Sequence, residues 1–142
     1  MSFAIATPTL LVAAIIALAL IAAVAMRLSI RRKARRAVYA RAALSSTQFA
    51  ALFTDPKEAE VSVAIRDRLR DYISIDPALV RPDDKLCADL QLAAIDGLDA
   101  NSFVAEVERV TKTDIPDEVA ERMLTLRDIV SFVARARRES AT

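Results

Sequence analysis

The sequence predicts an all-α protein, a single transmembrane helix followed by a small four-helix bundle. Three observations point there. Residues 1–26 carry no ionisable side chain, and Leu10 to Met26 is unbroken Leu, Ile, Val, Ala and Met. Beyond residue 54, apolar residues recur at helical spacing behind recognisable helix-start signals. No stretch of the 142 residues shows the sustained period-two alternation of half-buried strands.

The apolar head comes first. Phe3 to Met26 runs 24 positions without a charge. At ~1.5 Å rise per residue such a helix spans roughly 36 Å, enough for a hydrocarbon core of about 30 Å. Pro8 stands near the start, where a helix tolerates it. A core helix of a small soluble domain shows one apolar stripe, whereas this run is apolar on all faces. The rival is a cleaved signal peptide, since Ala23-Val24-Ala25 resembles a small-x-small cleavage site. However, residues 1–9 lack the Lys or Arg that a signal peptide carries there.

A basic collar follows. Arg27, Arg31, Arg32, Lys33, Arg35, Arg36 and Arg41 occur without an acid among them. Cations after an apolar run hold the following chain in the cytoplasm. The expected topology is single-pass in the cell inner membrane, with the N-terminus outside. These seven cations are the expected membrane-surface residues, each contributing about 1 kcal/mol near anionic headgroups. Ala40 to Phe53 is Ala-rich, with Leu44, Phe49, Leu52 and Phe53, and reads either as a second helical stretch or as a loose linker.

The body is acidic. Residues 42–133 hold 10 Lys/Arg against 18 Asp/Glu. Asp55 suits an N-cap, Pro56 the first helical position, and Glu58 stands three after the cap. Val61, Ile65, Leu69, Tyr72 and Ile73 then give a first helix over 55–74. Asp76-Pro77 and Arg81-Pro82 mark a long loop, because residues before Pro avoid the helical region. Asp96-Gly97 opens a second helix, with Phe103, Val104, Val107 and Val110 on its apolar face. Val119, Ala120 and Met123 make a short third. Leu126, Ile129, Val130 and Val133 make a fourth, with Arg135, Arg137 and Arg138 at its C-terminal end, where the macrodipole favours cations. The expected organisation is a membrane helix over 1–26, collar and linker over 27–54, a helical domain over 55–138, and a tail over 139–142.

Composition excludes much chemistry. With no His, neither a Ser-His-Asp system nor a His-ligated metal is possible. One Cys excludes an intrachain disulfide and multi-Cys zinc patterns. One Gly excludes a Gly-rich phosphate cradle. The acidic body argues against nucleic acid. No metal site and no enzyme activity are expected. Cys87, in a loop flanked by apolar residues, is expected to be buried or half-buried. Asp83, Asp84, Asp89, Asp96 and Asp99 do not have the spacing of an EF-hand loop and read as a solvated acidic surface.

Two strings carry a family resemblance. Pro82-Asp83-Asp84-Lys85-Leu86-Cys87-Ala88-Asp89-Leu90 resembles the loop before the second helix of acyl carrier proteins. Ile115-Pro116-Asp117-Glu118-Val119-Ala120-Glu121-Arg122-Met123 resembles their third-helix signature. The resemblance covers residues 59–134 and implies the carrier fold. Where carriers have Asp-Ser-Leu, with the Ser bearing phosphopantetheine, this chain has Asp96-Gly97-Leu98. The distance from Gly97 to Ile115 fits the family's second helix without a gap, while Leu92-Ala93-Ala94 looks like an insertion before it.

Gly97 offers no hydroxyl, so the resemblance implies a carrier fold without the cofactor. The alternative is a genuine carrier modified at Ser102, in Asn101-Ser102-Phe103; a further one is a structural membrane protein with carrier-like topology. In the family the second helix meets basic patches on partner enzymes. By that resemblance Asp96, Asp99, Glu106 and Glu108 are the expected docking residues. The expected partners are the membrane and a protein with a basic patch, such as a lipid- or acyl-processing enzyme.

Overall fold

The computed structural model describes residues 6–92 and 98–141, with side chains described for 9–92 and 100–141. Two compact units divide the chain, Met1–Ala34 and Arg35–Thr142. The protein is helical, and among the described residues the only β pairing is one isolated antiparallel bridge between Lys85 and Thr125.

Helix α1, Ala6–Tyr39, supplies nearly all of the first unit. It holds the one helix among the described residues long and apolar enough to cross a membrane, Thr9–Tyr39. Its Leu, Ile and Val side chains from Leu10 to Ile30 are exposed. The helix runs on through the collar because nothing from Arg27 to Tyr39 breaks it: there is no Pro or Gly, and Ala34 and Ala37 favour it.

The second unit begins inside the last turn of α1, where Val38 is buried. Helix α2, Ser46–Ala50, follows behind a capping box. The Ser45 hydroxyl accepts the Gln48 N–H at 3.1 Å, and the Gln48 carbonyl accepts the Ser45 N–H at 2.9 Å. Phe49 and Phe53 are buried and meet edge to face, with ring centroids 5.7 Å apart. Residues 35–53 are thus part of the packed unit and not a loose linker. The compact unit starts at Arg35, earlier than the boundary at 55 that the helix-start signal suggested.

Helix α3, Pro56–Arg68, begins as its sequence predicts, with the Asp55 carboxylate accepting the Lys57 N–H at 2.8 Å and Pro56 in the first turn. It ends sooner than 74, passing into a 3-10 turn over Leu69–Asp71. That turn still buries Leu69 and sets Tyr72 edge-on to Phe103 at 5.6 Å. After a second 3-10 turn, Pro77–Leu79, the chain reaches helix α4, Leu98–Thr111. Short helix α5, Asp117–Ala120, leads to α6, Leu126–Ser140. A second capping box, Thr125 with Asp128, opens α6. The long loop is stitched to that start, since Leu86 N–H donates to Leu124 C=O at 2.9 Å and Arg127 N–H to Pro82 C=O at 2.8 Å.

α3 packs against α2, α4 and α6. The core joins Phe49 and Phe53, Val61, Ile65 and Leu69 of the α3 region, Phe103 and Val107 of α4, and Leu126, Ile129, Val130 and Val133 of α6. Leu86, Leu90 and Leu92 bring the loop into the same cluster. Each such side chain contributes about 1.5–3 kcal/mol by leaving water.

Candidate functional site

The region that the sequence singles out lies around the start of α4. Asp96 and Gly97 fall outside the described residues, and Asp99 is described only in its helical backbone. α4 runs from Leu98, the residue after Gly97 in the sequence, to Thr111. Ser102 is exposed within α4, as the gap-free alignment expects.

The two other docking candidates have structural work. Glu106 accepts two bonds from Arg109, Nε at 2.8 Å and Nη2 at 2.7 Å, and lies 3.5 Å from Arg68 Nη1. The Arg109 hydrogen bond holds the Glu106 carboxyl below its ordinary range. Glu108 Oε1 accepts the Ile115 N–H at 2.6 Å, fixing the loop into α5. Both carboxylates, expected by the resemblance as docking residues, are thus engaged by neighbours from other turns and elements.

A group of acids in and just after α5 stays exposed. Asp117, Glu118 and Glu121 are exposed and form no ion pair among the described residues. Beside them Leu124 is 64% exposed. The docking acids expected by the resemblance lie at or on α4, and none lies here. Only the tertiary partners of Glu106 and Glu108 distinguish the two.

The aspartates of the loop are engaged in different ways. Asp84 is buried, accepting Arg41 Nη1 on both oxygens and the Arg81 N–H at 2.8 Å. Asp83 binds the Arg127 guanidinium at 2.6 and 3.1 Å, which lowers its pKa. Asp89 accepts the Lys85 N–H at 2.8 Å. Asp84 is therefore a buried structural acid, not part of a solvated surface, because the loop folds back over residues 41–44. Among the described residues no cluster of acids or Cys could hold a metal. Cys87 is exposed, contrary to expectation: its neighbour Leu86 turns inward and leaves Cys87 on the outside.

The collar cations divide. Arg27, Arg31, Arg32, Lys33 and Arg36 are exposed along α1. Arg35 stacks over the Tyr39 ring at 5.4 Å and donates to its hydroxyl at 3.3 Å. Arg41 is taken into the fold by Asp84. Arg66 of α3, which nothing in the sequence marks, is buried, 4% exposed. It donates to Leu44 C=O at 3.3 Å and Ser46 Oγ at 3.1 Å and lies 4.6 Å from the Phe49 ring. With Arg81, whose Nη2 reaches Ala42 C=O at 2.6 Å, it clamps the segment after α1 onto the bundle.

No family model matches the chain. Individual proteins do. The acyl carrier protein of Campylobacter concisus is 30% identical over 71 residues, covering 50% of this chain and 88% of that one. The acyl carrier protein of Campylobacter hominis is 31% identical over 74 residues, covering 52% and 90%. A crystal structure of a Toxoplasma-specific mitochondrial acyl carrier protein aligns with a TM-score of 0.46 at 28% identity, covering 60% of this chain and 96% of that one.

Proposed function

Because this chain belongs to the acyl carrier protein family, we propose that it is a membrane-anchored interaction module that has given up the phosphopantetheine arm. The observation that carries this reading is Gly97. It stands where carriers have the modified Ser, one residue before α4 and at the family's distance from Ile115. Attachment needs a hydroxyl oxygen to attack the coenzyme A pyrophosphate, and glycine has none. The loop inserted at Leu92-Ala93-Ala94 further changes the approach for a transferase.

α1 is the anchor. Its residues 9–26 are apolar on all faces, exposed, and followed by cations that favour a cytoplasmic body. The docking residues are the exposed Asp117, Glu118 and Glu121 in and just after α5, together with Asp96 and Asp99, which are assigned from the sequence alone. Glu106 and Glu108 support that surface from within through Arg109 and Ile115. The partner carries a basic patch and belongs with acyl- or lipid-processing proteins held at the same membrane.

The test is incubation of the purified chain and its Gly97→Ser variant with coenzyme A and a promiscuous phosphopantetheinyl transferase, read by intact mass. Wild type stays at its unmodified mass, and the variant takes the arm partially. Modified wild type overturns the reading and directs attention to Ser102, the exposed hydroxyl of α4.

A further inference from the structure

We propose that Arg27, Arg31, Arg32 and Lys33 form a ring on α1 that gathers anionic phospholipid headgroups around the helix. The inference rests on the reading that α1 spans a bilayer and adds the chemistry of the lipids beside it.

The structure divides the collar, and the division carries the argument. Arg41 is spent on Asp84, Arg35 lies on Tyr39, and Arg36, although exposed, falls in the second compact unit, so these three belong to the body. The four earlier cations are exposed, lie in the first compact unit, and have no ion pair among the described residues. At about 100° per residue they fall near 0°, 40°, 140° and 240° around the axis, so they point to more than one side. A protein groove meets one face of a helix, whereas lipids surround a spanning helix on every side. The charge-free window ends at Met26, which sets the hydrocarbon boundary there. From Arg27 to Lys33 the axis advances about 9 Å. A headgroup layer is about 5–8 Å deep per leaflet. Their long side chains extend toward the interface from just outside it. The phosphates of lipids with a net negative headgroup match four such cations, and zwitterionic lipids offer no net charge to them.

The experiment uses the full chain reconstituted in phosphatidylcholine vesicles containing spin-labelled phosphatidylglycerol or spin-labelled phosphatidylcholine. The fraction of label immobilised at the protein is read for each. Wild type is expected to favour phosphatidylglycerol by about fivefold, the equivalent of one cation's interaction with an anionic surface. The preference shrinks toward parity near 1 M salt, where the screening length is about 3 Å. It is also lost in the variant combining Arg27→Gln, Arg31→Gln, Arg32→Gln and Lys33→Gln. Equal immobilisation of both labels by wild type overturns the proposal, leaving the collar as a topology signal. A preference retained in the variant overturns it too. Carbonate washing of the vesicles is done first: release of the chain overturns the spanning reading together with this proposal, whereas retention with equal labels overturns this proposal alone.

Discussion

Arg41 and Asp84 lie 43 positions apart and join through one guanidinium nitrogen, 2.8 and 2.7 Å from the two carboxylate oxygens. The carboxylate side chain is 5% exposed and the arginine 30%. The pair ties the second residue after α1 to the loop that leads toward α4. Arg41→Ala leaves Asp84 buried with the Arg81 N–H as its remaining donor. We expect a loss of about 2–3 kcal/mol, less than for a wholly buried pair because water reaches the arginine. Hydrogen exchange of the α3 and α6 amides in the detergent-solubilised chain measures it. A double-mutant cycle with Asp84→Asn isolates the coupling.

Phe49 tests whether the segment before α3 is core. It is fully buried against Phe53 and under the Arg66 guanidinium. Phe49→Ala is expected to cost about 3–5 kcal/mol. The thermal midpoint of the second unit is the readout. A change within about 0.5 kcal/mol, as at an ordinary surface site, would contradict the packing.

Lys112 ends α4 in the left-handed region, at φ 52°, while the Thr113 N–H bonds back to Glu108 C=O at 3.3 Å. This is the closing turn in which helices usually place glycine. The chain has a single glycine and uses it elsewhere. Lys112→Gly is therefore expected to raise stability by about 0.5–1 kcal/mol, net of the entropy that glycine loses. A urea midpoint that falls would show that the lysine side chain contributes something the backbone does not.

Acid should weaken the fold. Asp55 is held below its usual range by the Lys57 N–H and by Arg138, Asp83 by Arg127, and Glu106 by Arg109. A depressed folded-state pKa means that the unfolded chain binds protons first. The stabilisation is present above the unfolded carboxylate values near 4 and is lost as pH falls through the lower folded values. These groups face solvent, so each share is small and screened. Urea midpoints measured from neutral pH down to about pH 3 should drop in the acid range, with a shallower drop in Asp83→Asn.

Local chemistry was legible in the sequence where a few neighbours decide the outcome. Asp55-Pro56 capped α3 as read, and the apolar spacing of Val61, Ile65 and Leu69 marked its buried face. A helix opening after Asp96-Gly97 was legible as well, and α4 begins at Leu98. Partners distant in sequence were not legible. Arg41 looks like any collar cation until Asp84 is brought beside it. Arg66 looks like a surface charge until Phe49 and Leu44 cover it. Ala40 to Phe53 has too few apolar positions to fix a period, so its burial is visible only once α3 and α6 provide something to lie against. Cys87 misleads for a related reason: its flanking residues are apolar, but a loop with no fixed repeat can turn adjacent side chains to opposite sides.

The burial of Val38, Phe49 and Phe53 has a consequence for how such a protein is cut and joined. The stretch that aligns with free-standing carriers is shorter than the stretch that must fold together. Expression of residues 59–134 alone would strip aromatic packing from α3 and leave Arg66 facing water. Val38, in the last turn of α1, belongs to the same packed unit, so that turn cannot be exchanged with the rest of the helix. A chimera that substitutes another N-terminal segment keeps the fold only if its seam lies before Arg35.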